Sequence, residues 1–143
     1  MIDDAAVLAR LVALEELRSL QGRLCRSAGN RSWDEFERCF ATDGQLRVYG
    51  TDGALAWFAL SPHIGATIDI EVGRDSFVVH AFGEELTLRS ETRAEGVWSM
   101  EFAIGSDVRG PTRRGYGTLH QSYARDAERW VIRSIDLIQR LGA

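Results

Sequence analysis

The second half of the chain consists of short segments in which apolar and polar residues alternate, separated by turn residues. The longest series of such segments, with the turns between them, runs from Val97 to Leu137. A period of two is typical of β-strands, because successive side chains point to opposite faces of a sheet. Turn residues at Asp126–Arg129 predict that the last two strands, about 113–125 and 130–139, form a hairpin. A sheet of this kind has to bury one face against other elements, so this pattern constrains the fold more than any other feature.

The first part of the chain carries helical periodicity instead. Apolar residues three or four apart predict one long helix that begins at Asp3-Asp4 and ends at Gly29-Asn30. Its predicted inner face consists of Val7, Leu11, Leu14, Leu17, Leu20, Leu24 and Ala28. Ser32 and Glu35 have the spacing of a capping box, which predicts a second helix that ends at residues 42–44. A strand is expected over 45–49.

The middle of the chain is ambiguous. Residues 54–60 form an apolar run that fits a strand or a helix. Ser61-Pro62 resembles a helix start, so we predict a short helix after it, while a strand remains the alternative. Two further strands are expected over 76–80 and 85–93.

Helices followed by strands predict an α+β protein. We expect N-terminal helices packed on a curved, mostly antiparallel sheet that forms a cone with an internal pocket, as in a cystatin-like roll. The 143 residues are enough for one domain with its own core, so residues 1–143 are predicted to form a single domain.

Composition argues against several classes of partner. The net charge is −4 and the longest basic run is Arg113-Arg114, so neither nucleic acid nor an anionic membrane is an expected partner. The sequence shows no signal-peptide pattern and no apolar run of about 18 residues, which predicts a cytoplasmic protein. Cys25 and Cys39 are expected to be free thiols on helix stripes. The 3 scattered histidines and the absence of a glycine-rich phosphate loop predict neither a metal site nor a cofactor.

Three segments together resemble a known family. They read SWDEFERCFATDG, AEGVWSME and RGYGTLHQSYARDAERWVI, and they are similar to segments of SnoaL-like proteins in the nuclear transport factor 2-like superfamily. The resemblance implies an α+β cone that binds a small, ring-type molecule, and a homodimer formed through the outer face of the sheet. Polyketide cyclases, ketosteroid isomerase and scytalone dehydratase belong to this superfamily, so cofactor-free proton transfer is one activity that it implies.

The dehydratase-like catalytic set does not carry over to this chain. Its Tyr-Asp pair matches Ala28 and Gly29, and its two histidines match Trp98 and Tyr116. Many related members have a histidine where this chain has Thr118.

Candidate site residues follow from strand alternation and from the resemblance. Trp98, Met100 and Phe102 are predicted to face the helices, which favours an outer-face position for Glu101. A bulge in the strand would instead turn Glu101 toward the pocket, so this alternative stays open. The resemblance implies that Tyr116 points inward, and Thr118 and His120 then share its face. His120 is the candidate general base, and Tyr116 is the candidate group for stabilising an oxyanion. Further candidate contacts to a ligand are Trp33, Trp57, Phe58 and His80.

Three functions remain open on the sequence. The protein is an enzyme of the isomerase, cyclase or dehydratase kind, or it binds a ligand in the pocket without chemistry. In the third alternative it is a homodimerising module whose cone is filled by its own core.

Overall fold

The structure, a computed structural model, describes residues 3–106 and 110–142 and confirms the predicted α+β class. The helices are α1 (Asp4–Gly29), α2 (Trp33–Arg38) and α3 (Ile64–Val72). The strands are β1 (Phe40–Tyr49), β2 (Leu55–Leu60), β3 (Ser76–Leu88), β4 (Arg93–Ser106), β5 (Gly110–Asp126) and β6 (Arg129–Gly142). The alternation also predicts a polar loop over 105–111. Residues 105–106 and 110–111 belong instead to β4 and β5, and the remainder of that loop lies outside the described residues.

The six strands form one curved sheet in the order β2-β1-β6-β5-β4-β3. Only the β1–β6 pair is parallel, and the predicted β5–β6 hairpin is present. The register shifts within β3, between Phe82 and Glu85, where Gly83 has a φ of 63°. Such bulges bend a strand and increase its twist, which gives the sheet a concave face on which α1 packs.

Helix α1 begins as predicted, because the Asp3 side chain accepts a hydrogen bond from the Ala5 backbone N–H at 3.1 Å. The predicted inner stripe is only partly correct. Leu17 is fully buried, whereas Val7 and Leu11 are 37% and 58% exposed. Periodicity identifies an apolar helix face, but it does not reveal how much of that face the sheet covers.

The second helix is shorter than predicted. It ends at Arg38, and β1 already begins at Phe40, so residues 42–44 belong to a strand instead of a helix stop. Phe40 pairs with Ile132 of β6, and this tertiary pairing overrides the local stop signal. The Ser32 side chain makes no capping hydrogen bond.

The ambiguous middle of the chain contains both kinds of element. Residues 55–60 form β2, and α3 confirms the predicted short helix. The two strands expected over 76–80 and 85–93 are largely one strand, β3. No helix in the described residues is both long enough and apolar enough to cross a lipid bilayer.

The close approach of β5 to β6 depends on a missing side chain. A Cβ atom added at Gly117 would collide with the backbone carbonyl oxygen of Ile138. A backbone atom in a paired strand cannot move aside without breaking the pairing.

We therefore expect Gly117→Ala to lower the free energy of unfolding by roughly 2–3 kcal/mol in urea denaturation. Gly142→Ala is the matched control, because its added Cβ would meet its nearest neighbour at an ordinary 3.6 Å. Its expected effect is within about 0.5 kcal/mol. Equal losses in the two variants would contradict the proposed close approach.

Candidate functional site

A half-open cavity of about 180 Å³ lies between α1, α3 and the concave face of the sheet. We call it the cone cavity. Most of its lining side chains are apolar, which suits a small apolar ligand. Its lining comprises Gln21, Leu24, Cys25, Ala28, Phe36, Leu46, Val48, Trp57, Ile68, Glu71, Val72, Phe77, Val79, Met100, Phe102, Ile104, Arg113, Leu119, Ile135, Leu137 and Gln139.

The pairing of β4 with β5 decides which side chains reach the cavity. Met100 lies opposite Gly117, and Trp98 lies opposite Leu119. Directly opposite residues of an antiparallel pair share a face. The inner face of β5 therefore carries Gly117 and Leu119, which are buried.

The predicted inward orientation of Tyr116, Thr118 and His120 is wrong. These residues alternate with the buried positions and lie on the outer face, where Tyr116 is 40% exposed and His120 is exposed. The resemblance implied an inner position for Tyr116, but Gly117 lies opposite the inward Met100. A difference of one residue places the side chains of a strand on the opposite face.

The other histidines also lie away from the cavity. His80 is exposed on the outer face, with its Nδ1 atom 3.5 Å from Oε1 of Glu101. Glu101 thus has the outward orientation that strand alternation predicted. His63 is exposed and directly precedes α3. None of the 3 histidines of the chain lines the cone cavity.

The predicted apolar contacts divide into two groups. Trp57, Met100 and Phe102 line the cone cavity, and whether they contact a ligand stays a prediction. Phe58 is 59% exposed and does not line the cavity. Trp33 also lies outside the lining and has a structural role instead.

Trp33 and Arg31 hold α3 in place. The Trp33 Nε1–H donates a hydrogen bond to Oδ1 of Asp69 at 3.1 Å, and the Arg31 guanidinium donates to the same oxygen at 2.5 Å. The hydrogen bond from Arg31 is the main reason why the pKa of Asp69 lies below its usual range. The Trp33 ring packs so closely on Gly65 that an added Cβ there would lie 2.8 Å from it. These contacts fix the helix that closes one side of the cavity.

Trp98 belongs to a buried hydrogen-bonded chain. Its Nε1–H donates to the Tyr123 hydroxyl at 3.0 Å, and that hydroxyl donates to Oε1 of Gln121 at 2.5 Å. Burial raises the pKa of Tyr123, so its hydroxyl stays protonated at neutral pH. None of the three residues lines the cone cavity. Their hydrogen bonds stabilise the inner face of the sheet.

Two polar residues of the cavity, Gln21 and Cys25, are not among the predicted ligand contacts, although Cys25 is a free thiol on a helix stripe as predicted. They lie on the helical face of Leu17, Leu24 and Ala28, at spacings of three and four residues, so the helical period itself assigns them to the inner face of α1. Gln21 is 2% exposed. Burial raises the pKa of the Cys25 thiol to about 11, which keeps it neutral and poorly nucleophilic.

Charged groups of the lining are Glu71 and Arg113, both exposed. The Arg113 guanidinium donates to the Glu71 backbone carbonyl at 3.1 Å, which joins β5 to the end of α3. Within 3–106 and 110–142, no group of three or more histidine, cysteine or acidic side chains is arranged to hold a metal ion.

A comparison with protein families identifies the type of domain. The model of a family described as the SnoaL-like domain matches residues 9–136. A search of curated protein sequences finds no significant relative.

Solved structures share the fold at low sequence identity. A proposed scytalone dehydratase from Novosphingobium aromaticivorans superposes with a TM-score of 0.80 at 13% identity, over 96% of this chain and 90% of that one. The hexachlorocyclohexane dehydrochlorinase LinA-type3 from Novosphingobium barchaimii gives 0.78 at 11% identity, with 95% and 92% covered. ActVI-ORFA from Streptomyces coelicolor gives 0.72 at 16% identity, with 89% and 97% covered. At these identities the similarity establishes the fold alone.

The buried thiol of Cys25 predicts a loss of stability at alkaline pH. Its pKa is about 11 in the folded state against an ordinary value of 9.0. Between these values the unfolded state binds fewer protons, so the free energy of unfolding falls as the pH rises. All 17 basic residues are arginines, so no lysine titrates in the same range.

The free energy of unfolding should fall between pH 8 and pH 10.5 in both proteins. We expect this fall to be about 2 kcal/mol smaller in Cys25→Ala than in the wild type. Urea denaturation at both pH values, with a reducing agent present, measures the difference. Cys39 and Tyr123 are present in both proteins, so their contributions to the pH dependence cancel in the comparison. Equal losses in both proteins would show that Cys25 is not responsible.

Proposed function

We propose that this chain, which belongs to the SnoaL-like domain family, binds one small, largely apolar molecule in the cone cavity and releases it unchanged. The observation that carries the proposal is the cavity itself. It has a volume of about 180 Å³, a mostly apolar lining and deeply buried walls such as Leu119 and Met100, which are 6% and 3% exposed. Transfer of an apolar ring from water into such a site is favourable.

The polar groups of the lining favour binding over proton transfer. A general base has to lie within hydrogen-bond reach of the bound molecule, either directly or through one water. Histidines are absent from the lining, and the positions matched by the dehydratase Tyr-Asp pair hold Ala28 and Gly29. Cys25 is held neutral by burial. The dehydratase and dehydrochlorinase activities named for structural neighbours belong to proteins of 11–13% identity, so they do not support either reaction here.

Partial filling of the cavity tests this function. Ala28 lines the cavity from α1 and is 3% exposed, so Ala28→Leu places three additional carbon atoms there. With p-xylene as the probe, we expect the dissociation constant to rise by about tenfold, because the ring loses volume and contacts. Isothermal titration calorimetry or NMR titration measures the change.

Two control variants accompany this measurement. Ala5→Leu makes the same substitution at an exposed position of α1, and His120→Ala removes the histidine that the sequence favoured as a base. Both are expected to keep the wild-type affinity within about twofold. The proposal fails if neither p-xylene nor its hydroxyl analogue p-cresol binds the wild-type protein. Conversion of a bound compound to product, detected by mass spectrometry and lost in His120→Ala, would instead support the enzymatic alternative.

We further propose that the protein forms a homodimer through the outer sheet face. Exposed apolar side chains on this face include Val78, Phe82, Val97 and Tyr116, with exposures between 37% and 51%. They share this face with ionic groups of both signs, such as Glu101 and the ion pair of Arg47 with Asp136. A two-fold interface needs one patch that complements itself, and a patch of this composition suits that requirement.

Val97→Asp tests the dimer. A carboxylate buried at an apolar interface is costly, so we expect the apparent mass in light scattering to fall from dimer to monomer. Val12→Asp is the control, because Val12 is 47% exposed on α1 and does not lie on the sheet. A wild-type protein that is monomeric at all measured concentrations would rule out the dimer.

A further inference from the structure

Gln21 is a buried side chain whose hydrogen-bonding groups are not used by the protein. It lies on the inner face of α1 and is 2% exposed. Neither Oε1 nor Nε2 has a hydrogen-bond partner among the residues that the structure describes. A primary amide withdrawn from water without partners destabilises a protein, so such groups are rare and require a physical reason.

The location of Gln21 supplies that reason. It lines the cone cavity, and it also lines a groove of about 680 Å³ between α1 and β3. Its neighbours along the cavity wall are Leu24, Cys25 and Ala28, none of which offers a strong hydrogen-bond partner. The charged groups of the lining are exposed, whereas Gln21 is buried. The amide therefore provides a neutral polar group in the buried part of an otherwise apolar wall.

The size of the cavity limits what can reach this amide. An apolar cavity of about 150 Å³ engineered in another protein accommodates benzene. At about 180 Å³, the cone cavity has room for one ring with one or two small substituents. The two unused atoms of Gln21 are one acceptor and one donor, and a hydroxyl group is the smallest substituent that pairs with both.

We propose that the ligand of the cone cavity is an uncharged single-ring molecule with a phenol-type hydroxyl group, and that Gln21 selects it. The hydroxyl donates a hydrogen bond to Oε1 and accepts one from Nε2. A carboxylate is disfavoured, because it cannot donate to Oε1 and would lose its hydration. The cation of the lining, Arg113, is exposed and bonded to the end of α3, so it offers little compensation in the buried part of the wall. This inference rests on the proposed function and specifies its ligand class.

The test compares p-cresol with p-xylene, which differ by a hydroxyl in place of a methyl group. The selectivity is the dissociation constant of p-xylene divided by that of p-cresol, measured by calorimetry for each protein. Gln21→Met keeps the length of the side chain and removes both hydrogen bonds. We expect the selectivity to fall about tenfold in this variant, since the comparison between proteins cancels the different hydration of the two probes.

Gln45→Met is the matched control, because Gln45 is a half-buried glutamine on β1 that does not line the cavity. Its selectivity is expected to equal that of the wild type. In the wild-type protein, the side-chain NH₂ resonances of Gln21 should move downfield with p-cresol, as a new hydrogen bond requires, whereas p-xylene should produce only the ring-current shift that both probes share. This second measurement decides the question even if Gln21→Met does not fold.

Each outcome has a distinct meaning. If both probes bind and the selectivity is the same in all three proteins, water from the groove satisfies Gln21; the selection by Gln21 is then overturned, while the proposed function stands. If neither probe binds the wild-type protein, the proposed function fails together with this inference. A tenfold loss in Gln21→Met alone supports the inference.

Discussion

The alignment of β4 against β5 determines which side chains of the sheet are buried and which lie on its outer face. Trp98 lies opposite Leu119, and the Trp98 N–H also bonds to the buried Tyr123 hydroxyl on the same face of β5. A shift of one residue would expose this pair and bury the polar outer residues, so the register is strongly specified. It assigns Met100 and Leu119 to the cone cavity and His120 to the outer face.

This register changes the chemistry that the fold can support. With the histidines outside, the buried lining combines apolar side chains with the neutral amide of Gln21 and the neutral thiol of Cys25. Such groups recognise an uncharged molecule by shape and by one or two hydrogen bonds, but they are poor proton acceptors at neutral pH. Members of one fold family differ in function through such changes in a few lining residues.

The short helix α3 shows how local and tertiary contacts combine to form the cavity. Its sequence permits either a helix or a strand, and the hydrogen bonds of Arg31 and Trp33 to Asp69 hold it against the corner between α1 and α2. Trp33 was expected to contact a ligand because it is aromatic. In the folded chain its ring packs on Gly65 and its N–H donates to Asp69, both in α3. Trp33 therefore shapes the cavity by positioning that helix.

Helical and strand periods are local properties of the chain, so the sequence already predicts the fold class, the long first helix, the final hairpin and the inward face of β4. It favours an outward Glu101 but leaves a pocket position open. The buried face of β5 is settled by its pairing with β4, since the glycines and polar residues of β5 leave that strand without a clear apolar alternation. The burial of Gln21 was likewise decided by packing. The helical period assigns this residue to the inner face of α1, but only the elements packed against that face determine whether a polar side chain there is buried in a cavity wall or reaches solvent.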